Sequence, residues 1–164
     1  MKTLYPYQLD CVQYLRTHEN AALFLDMRLG KTLCTIKALK PFPGIKLIVC
    51  PKSVIQVWLD EIKEEGITSY IGFSSKGIKH MSINKIESWM VCNYEAAIRL
   101  PEAILDAIDT IVVDESVVLK SPKAKITKFF INNFRGCKKI LLSGNPAPNH
   151  PLEYFTEMQF LYGS

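Results

Sequence analysis

The 164-residue sequence contains no apolar run long enough to cross a bilayer. Stretches such as Ile111-Val112-Val113 and Ile140-Leu141-Leu142 fall far short of the roughly 18 residues that a membrane helix needs. It also lacks a CxxC pair: Cys11, Cys34, Cys50, Cys92 and Cys137 are an odd, scattered set among apolar neighbours. That argues against a disulfide framework or a zinc site and leaves structural thiols in a reducing compartment. His18, His80 and His150 have no carboxylate or cysteine at ligand spacing, so each reads as a surface residue. The opening Met1-Lys2-Thr3-Leu4-Tyr5-Pro6-Tyr7-Gln8 has neither the apolar segment nor the cleavage site of a secretory signal. Repeats and low-complexity tracts are missing as well. The expectation is one soluble, cytoplasmic domain with no membrane attachment, and 48% apolar and 22% charged residues suit it.

One further scarcity is local. Between Ser116 and Leu152 there is no acidic residue, against seven basic ones: Lys120, Lys123, Lys125, Lys128, Arg135, Lys138 and Lys139. This stretch is either an anion-facing surface or the solvated face of a lysine-rich helix.

Short apolar runs recur at Ala22–Leu25, Leu47–Cys50, Tyr70–Phe73, Trp89–Cys92, Thr110–Val113 and Lys139–Leu142. Most carry β-branched residues without polar alternation, the pattern of parallel strands covered on both faces. Amphipathic segments lie between them. Leu4, Tyr7, Cys11, Val12 and Leu15 share one helical face, and Val54, Val57, Trp58 and Ile62 share another. Ser121-Pro122 reads as the start of a helix that turns Ile126, Phe129 and Phe130 inward and stops before Gly136. Pro146–Pro151 reads as a rigid loop into a last helix carrying Leu152, Phe155, Met158 and Leu161. This alternation implies an α/β domain with a doubly wound, mostly parallel sheet and helices on both faces.

Phe24-Leu25-Asp26-Met27-Arg28-Leu29-Gly30-Lys31-Thr32 reads as a strand, a short loop and a Gly-Lys-Thr helix start. Backbone N–H groups at such a start face phosphate oxygens, a lysine neutralises the β and γ phosphates, and a threonine hydroxyl holds Mg²⁺. The full G-x4-G-K-[ST] pattern is not met, since Leu25 stands where its first glycine belongs. Downstream, Thr110-Ile111-Val112-Val113 ends in Asp114-Glu115, a carboxylate pair where α/β sheets bind ligands. One carboxylate can hold Mg²⁺ and the other can activate water. Together the two signals point to a P-loop NTPase.

With these residues in order, the chain resembles the first RecA-like lobe of superfamily 2 helicase-type ATPases, in the Swi/Snf-like branch with a phage or bacterial spelling. Leu4-Tyr5-Pro6-Tyr7-Gln8 resembles L-x-P-Y-Q, and Asp26 to Thr32 resembles D-M-G-L-G-K-T, a form that needs no glycine at Leu25. Leu47 to Ser53, followed by Trp58 and Glu61, is similar to motif Ia. Val91-Cys92-Asn93-Tyr94-Glu95 is similar to I-T-N-Y-E, Asp114-Glu115-Ser116 to the D-E-x-H box, and Ser143-Gly144-Asn145-Pro146 to motif III.

The resemblance implies a helicase ATP-binding lobe over residues 1–164 that uses ATP and Mg²⁺. Gln8, Arg28, Leu29, Gly30, Lys31 and Thr32 would hold ATP, with Gln8 reading adenine. Thr32 and Asp114 would hold the metal, and Lys31 and Glu115 would be catalytic. Lys52, Ser53, Asn93 and Tyr94 would touch nucleic acid, expected to be double-stranded DNA. Ser143, Gly144 and Asn145 would couple nucleotide state to that contact. A second RecA-like lobe, which family members carry with an arginine finger, is the expected partner. It is absent from this chain, which reads as a fragment with little ATPase activity of its own.

Two residues depart from the family pattern. Arg28 replaces a glycine, at a cost of roughly 1–2 kcal/mol if the backbone there needs positive φ. Val117 replaces the histidine that joins the acidic box to motif III, and valine makes no polar link. These departures keep a second class open, a small nucleic-acid- or helicase-binding module with a lapsed ATP site. A small-molecule P-loop kinase is a third, against which the late acidic pair and the Pro-Tyr-Gln start both argue.

Overall fold

A computed structural model describes residues 3–76, 88–144 and 153–163. His80, Asn145, His150, the Pro146–Pro151 loop and Leu152 lie outside the described residues. Six strands, β1 (Asn20–Phe24), β2 (Ile45–Cys50), β3 (Tyr70–Phe73), β4 (Trp89–Asn93), β5 (Ile108–Asp114) and β6 (Lys138–Ser143), form one sheet. Its order is β1-β6-β5-β2-β4-β3 and every pairing is parallel. All six expected runs are strands. Where the fully apolar reading holds, as in Leu47–Cys50 and Ile111–Val113, every side chain is buried because both faces are covered.

Side chains along each strand alternate between two cores. Ile48, Cys50, Val91, Val112, Ile140 and Leu142 pack under α1 (Pro6–Thr17), α2 (Lys31–Leu39) and α3 (Ile55–Glu64). Leu47, Val49, Met90, Cys92, Ile111, Val113 and Leu141 pack under α4 (Tyr94–Ala97), α5 (Glu102–Leu105), α6 (Lys125–Asn133) and α7 (Glu153–Tyr162). The period of two in a strand assigns each residue to its face. Each large apolar side chain so buried contributes about 1.5–3 kcal/mol. Among the described residues no helix is long and apolar enough to cross a membrane.

Several local expectations need correction. On α1 the inward face is Gln8, Val12 and Leu15, whereas Tyr7 is exposed. Val57 is likewise exposed on α3, leaving Trp58 and Ile62 as its buried pair. The helix placed after Ser121-Pro122 begins at Lys125, with Ala124 before it; Ser121 instead opens a turn in which its carbonyl accepts the Ala124 N–H. On α7 Phe155 faces solvent, and Thr156, Glu157, Phe160 and Leu161 face inward.

The basic stretch is also divided. Lys138 spends its ammonium on the Leu15 and His18 carbonyls, and Lys139 on the Phe160 carbonyl. These two lysines tie chain ends to β6, so the exposed positive charge comes from Lys120, Lys123, Lys125, Lys128 and Arg135. Burial pushes the thiols of Cys34 and Cys50 up to about 12 and raises that of Cys92. All three stay protonated, as structural thiols do.

Candidate nucleotide site and adjoining cleft

The strand order assembles the site. β1, β6 and β5 are neighbours, so the segments leaving their C-terminal ends lie side by side: Leu25 to Thr32, Ser143-Gly144 and Asp114-Glu115. The Leu25 N–H donates to the Ser143 carbonyl at 3.2 Å, carrying the β1–β6 pairing into the loop. A Cβ on Gly144 would sit 3.6 Å from Met27 Cγ, 3.7 Å from the Leu25 carbonyl oxygen and 3.8 Å from Lys31 Nζ, which places the motif III glycine against the loop.

The loop itself needs unusual torsions. Gly30, directly before α2, has φ 82 and ψ 31. Arg28 has φ 67, so the family's glycine position does require the left-handed region and here an arginine occupies it. Lys31 Nζ donates to the carbonyls of Leu25 at 2.8 Å and Asp26 at 3.2 Å, folded across the loop that a phosphate would fill. The side chain of Gln8 braces the loop from α1. Its Nε2 donates to the Leu29 carbonyl at 3.1 Å, its Oε1 accepts the Tyr5 N–H at 3.0 Å, and the Tyr7 hydroxyl also reaches Leu29 at 3.3 Å. Tyr5 and Tyr7 stack with centroids 6.1 Å apart and 5° between planes, and both are exposed.

Asp114 ends β5 with 9% of its surface exposed. Burial raises its pKa, opposed by a hydrogen bond from Trp58, by the Glu115 N–H and by the Lys31 charge. Trp58 Nε1 donates to Oδ2 at 2.9 Å and Glu115 N–H to Oδ1 at 3.1 Å, so both oxygens have a donor. Glu115 is half-buried at φ 57 and ψ 60, a second left-handed non-glycine residue. Burial and then the Asp114 charge raise its pKa, and Lys31 pulls it back. The donor set of Thr32 hydroxyl and Asp114 carboxylate is hard oxygen, which fits Mg²⁺ sharing its remaining positions with phosphate and water. Among the described residues no cluster of three or more His, Cys, Asp or Glu could hold a metal ion without such a partner.

Beyond β5 the sheet continues through β2 and β4, whose ends carry the remaining expected residues. Pro51, Lys52, Ser75, Asn93, Tyr94 and Glu95 line an open cleft of about 470 Å³. Lys52 and Ser53 are exposed in a 3₁₀ turn, Lys52–Val54, that leads into α3. Asn93 is buried, donates to Glu95, and leaves its Oδ1 with no hydrogen-bond partner. The Tyr94 hydroxyl turns inward to the Asp114 carbonyl and to the Glu115 carbonyl at 3.3 Å. Ser53 does not line this cleft, and Asn145 lies outside the described residues.

Three contributors were not foreseen as such. Trp58 reads as core in the sequence, since its helical spacing gives no hint of a carboxylate partner fifty-six positions away. Tyr94, expected as a nucleic-acid contact, lines the cleft and also turns its hydroxyl to the backbone of the acid pair. Ser116 Oγ donates to Glu157 Oε1 at 2.6 Å, both fully buried, and so ties the segment after the acid pair to α7.

Known proteins share this fold. The family model described as SNF2-related domain matches residues 7–163. The chain is 30% identical over 190 residues to TATA-binding protein-associated factor mot1 of Aspergillus fumigatus, covering 96% of this chain and 10% of that protein. It is 28% identical over 177 residues to the ISWI chromatin-remodeling complex ATPase ISW1 of Saccharomyces cerevisiae, covering 96% and 16%. Among solved structures, the Sulfolobus solfataricus SWI2/SNF2 ATPase core in complex with dsDNA superposes with a TM-score of 0.83 at 26% identity, covering 99% of this chain and 36% of that one. The chain thus spans a sixth or less of the length of these two curated relatives.

Proposed function

The chain belongs to the SNF2-related family, and on that premise we infer that it is the ATP-binding lobe of a DNA-dependent ATPase whose second lobe lies outside residues 1–164. The observation that carries this reading is one juxtaposition. Three neighbouring strands deliver the Gly30-Lys31-Thr32 turn, Ser143-Gly144 and the Asp114-Glu115 pair to a single edge, where the Lys31 charge acts on both carboxylates.

Bound Mg²⁺·ATP supplies the phosphoryl group and the cation that neutralises its oxygens. The chain's own residues prepare for it. Lys31 would exchange the Leu25 and Asp26 carbonyls for phosphate oxygens, a stronger charge-assisted contact. Thr32 and Asp114 would hold the metal, and the two N–H donors on Asp114 aim its carboxylate and oppose the effect of burial on it. Glu115 would take the proton of the attacking water on a carboxylate oxygen, and its raised pKa suits it to that role. Gln8 retains a second amide N–H and a second lone pair after bracing Leu29 and Tyr5, enough to meet an adenine edge beside the exposed rings of Tyr5 and Tyr7. Lys52 and Ser53 offer exposed donors to a duplex backbone.

The experiment is phosphate release from ATP by the full gene product with and without duplex DNA. DNA-stimulated turnover that Glu115→Gln lowers by about 10²-fold or more supports the reading. The chain alone is expected to turn over about 10³–10⁵-fold more slowly, for want of an arginine finger. Absence of turnover both with and without DNA favours the second reading, a nucleic-acid- or helicase-binding module with a lapsed ATP site, which draws on Arg28 at φ 67.

A further inference from the structure

The acid pair is held from two sides by aromatic donors, one on the helix that follows the Lys52 turn of the cleft and one in the cleft wall itself. Lys52 opens the 3₁₀ turn that runs directly into α3, and Trp58, one helical turn later, holds Oδ2 of Asp114. Tyr94 lines the cleft beside Asn93, and its hydroxyl sits between the carbonyls of Asp114 and Glu115. Those two carbonyls flank the Cα of Glu115, the residue held at φ 57. A single hydroxyl bonded to both restrains the torsions between them, in a region that an L-residue leaves when released.

We propose that Trp58 and Tyr94 are positioning residues, a two-point clamp through which nucleic acid in the Lys52–Asn93–Tyr94 cleft sets the geometry of Asp114 and Glu115. The proposal rests on the nucleotide-and-DNA reading above. It assigns a route for coupling in a chain where Val117 offers no polar side chain next to the acidic box. A phosphate backbone drawn to Lys52 shifts the start of α3, and with it Trp58. A strand seated against the Tyr94 ring shifts the hydroxyl that fixes the Glu115 backbone. Either displacement reaches the acid pair through one hydrogen bond.

The test uses the full gene product, a Mg²⁺ complex of a non-hydrolysable ATP analogue, and a short duplex DNA. The readout is the ratio of analogue Kd without DNA to Kd with saturating DNA. Wild type is expected to give a ratio of at least about 5, within the usual range for coupled sites. Tyr94→Phe removes only the hydroxyl, and its ratio is expected to fall to about 1–2. Trp58→Phe removes the indole N–H and keeps an aromatic ring in the core, so it serves as the second variant with the same expected fall. A merely structural role would weaken both Kd values by the same factor and leave the ratio intact; that result overturns the clamp.

Hydrogen exchange on the wild type needs no variant. Duplex DNA is expected to slow exchange of the Glu115 and Ser116 amides, and unchanged rates overturn the proposal. Analogue binding with a wild-type ratio of 1 overturns the clamp alone. Absence of analogue binding in the DNA-free arm overturns the nucleotide reading and the clamp together.

Discussion

Trp58, one turn into α3, donates its indole N–H across 2.9 Å to Oδ2 of Asp114 at the end of β5. Both residues are buried, and the bond replaces water that the carboxylate loses on folding. Removing the donor to a charged, buried acceptor costs about 1.5–3 kcal/mol. Trp58→Phe is therefore expected to lower stability by that amount in urea unfolding at neutral pH. A loss below about 0.5 kcal/mol, the range of an indifferent surface change, would show that the bond contributes little.

Arg28 holds φ 67 in the loop before Gly30. Arg28→Gly relieves the left-handed strain, whereas Arg28→Ala retains it and loses only the side chain. Glycine's greater freedom in the unfolded chain offsets part of the gain. The glycine variant should be more stable than the alanine variant by about 1 kcal/mol in parallel urea titrations. The reverse order would mean that the loop relaxes to negative φ at no cost.

How much of this was legible beforehand divides along physical lines. The six strands and the acid pair follow from short apolar runs and their ends, because burial on both faces leaves an unambiguous local pattern. The positive φ at Arg28 was legible only through the family's glycine. The inward face of α1 was misread because Gln8 is buried by bracing Leu29, a partner twenty-one residues away, while Tyr7 stays exposed. The basic run was misread for the same reason: Lys138 and Lys139 find carbonyls on α1 and α7 that no local spacing announces. The start of α6 at Lys125 reflects a turn that absorbs Ser121-Pro122, a choice between two uses of the same residues.

Two glycines of the site should behave oppositely. A Cβ on Gly30 would lie 2.5 Å from Gln8 Nε2 on a backbone at φ 82, so Gly30→Ala must displace Gln8 and strain the turn. A loss of about 2 kcal/mol or more is expected. At Gly144 the same atom meets nothing closer than 3.6 Å, and Gly144→Ala should fold with stability within about 0.5 kcal/mol of wild type. Thermal melts of the two variants side by side check this, and equal losses would contradict it.

The raised pKa of Glu115 gives a pH signature. Burial and the Asp114 charge favour the protonated form in the folded state. Folded chain thus keeps a proton that unfolded chain has released, and stability falls as pH rises from the ordinary value of 4.5 through the raised one. Glu115→Gln cannot ionise, so its Tm relative to wild type should climb between pH 4 and pH 7. Parallel Tm profiles would show that the pair is relaxed by solvent.

The measurement that bears most directly on the nucleotide site is calorimetric titration of Mg²⁺·ATP into wild type and Lys31→Ala. Wild type should bind, and the variant should bind at least about tenfold more weakly, a difference of about 1.4 kcal/mol. Equal affinities, or no heat from wild type up to about 1 mM ATP, where even a weak site of about −4.1 kcal/mol would register, would contradict a phosphate cradle at Gly30-Lys31-Thr32.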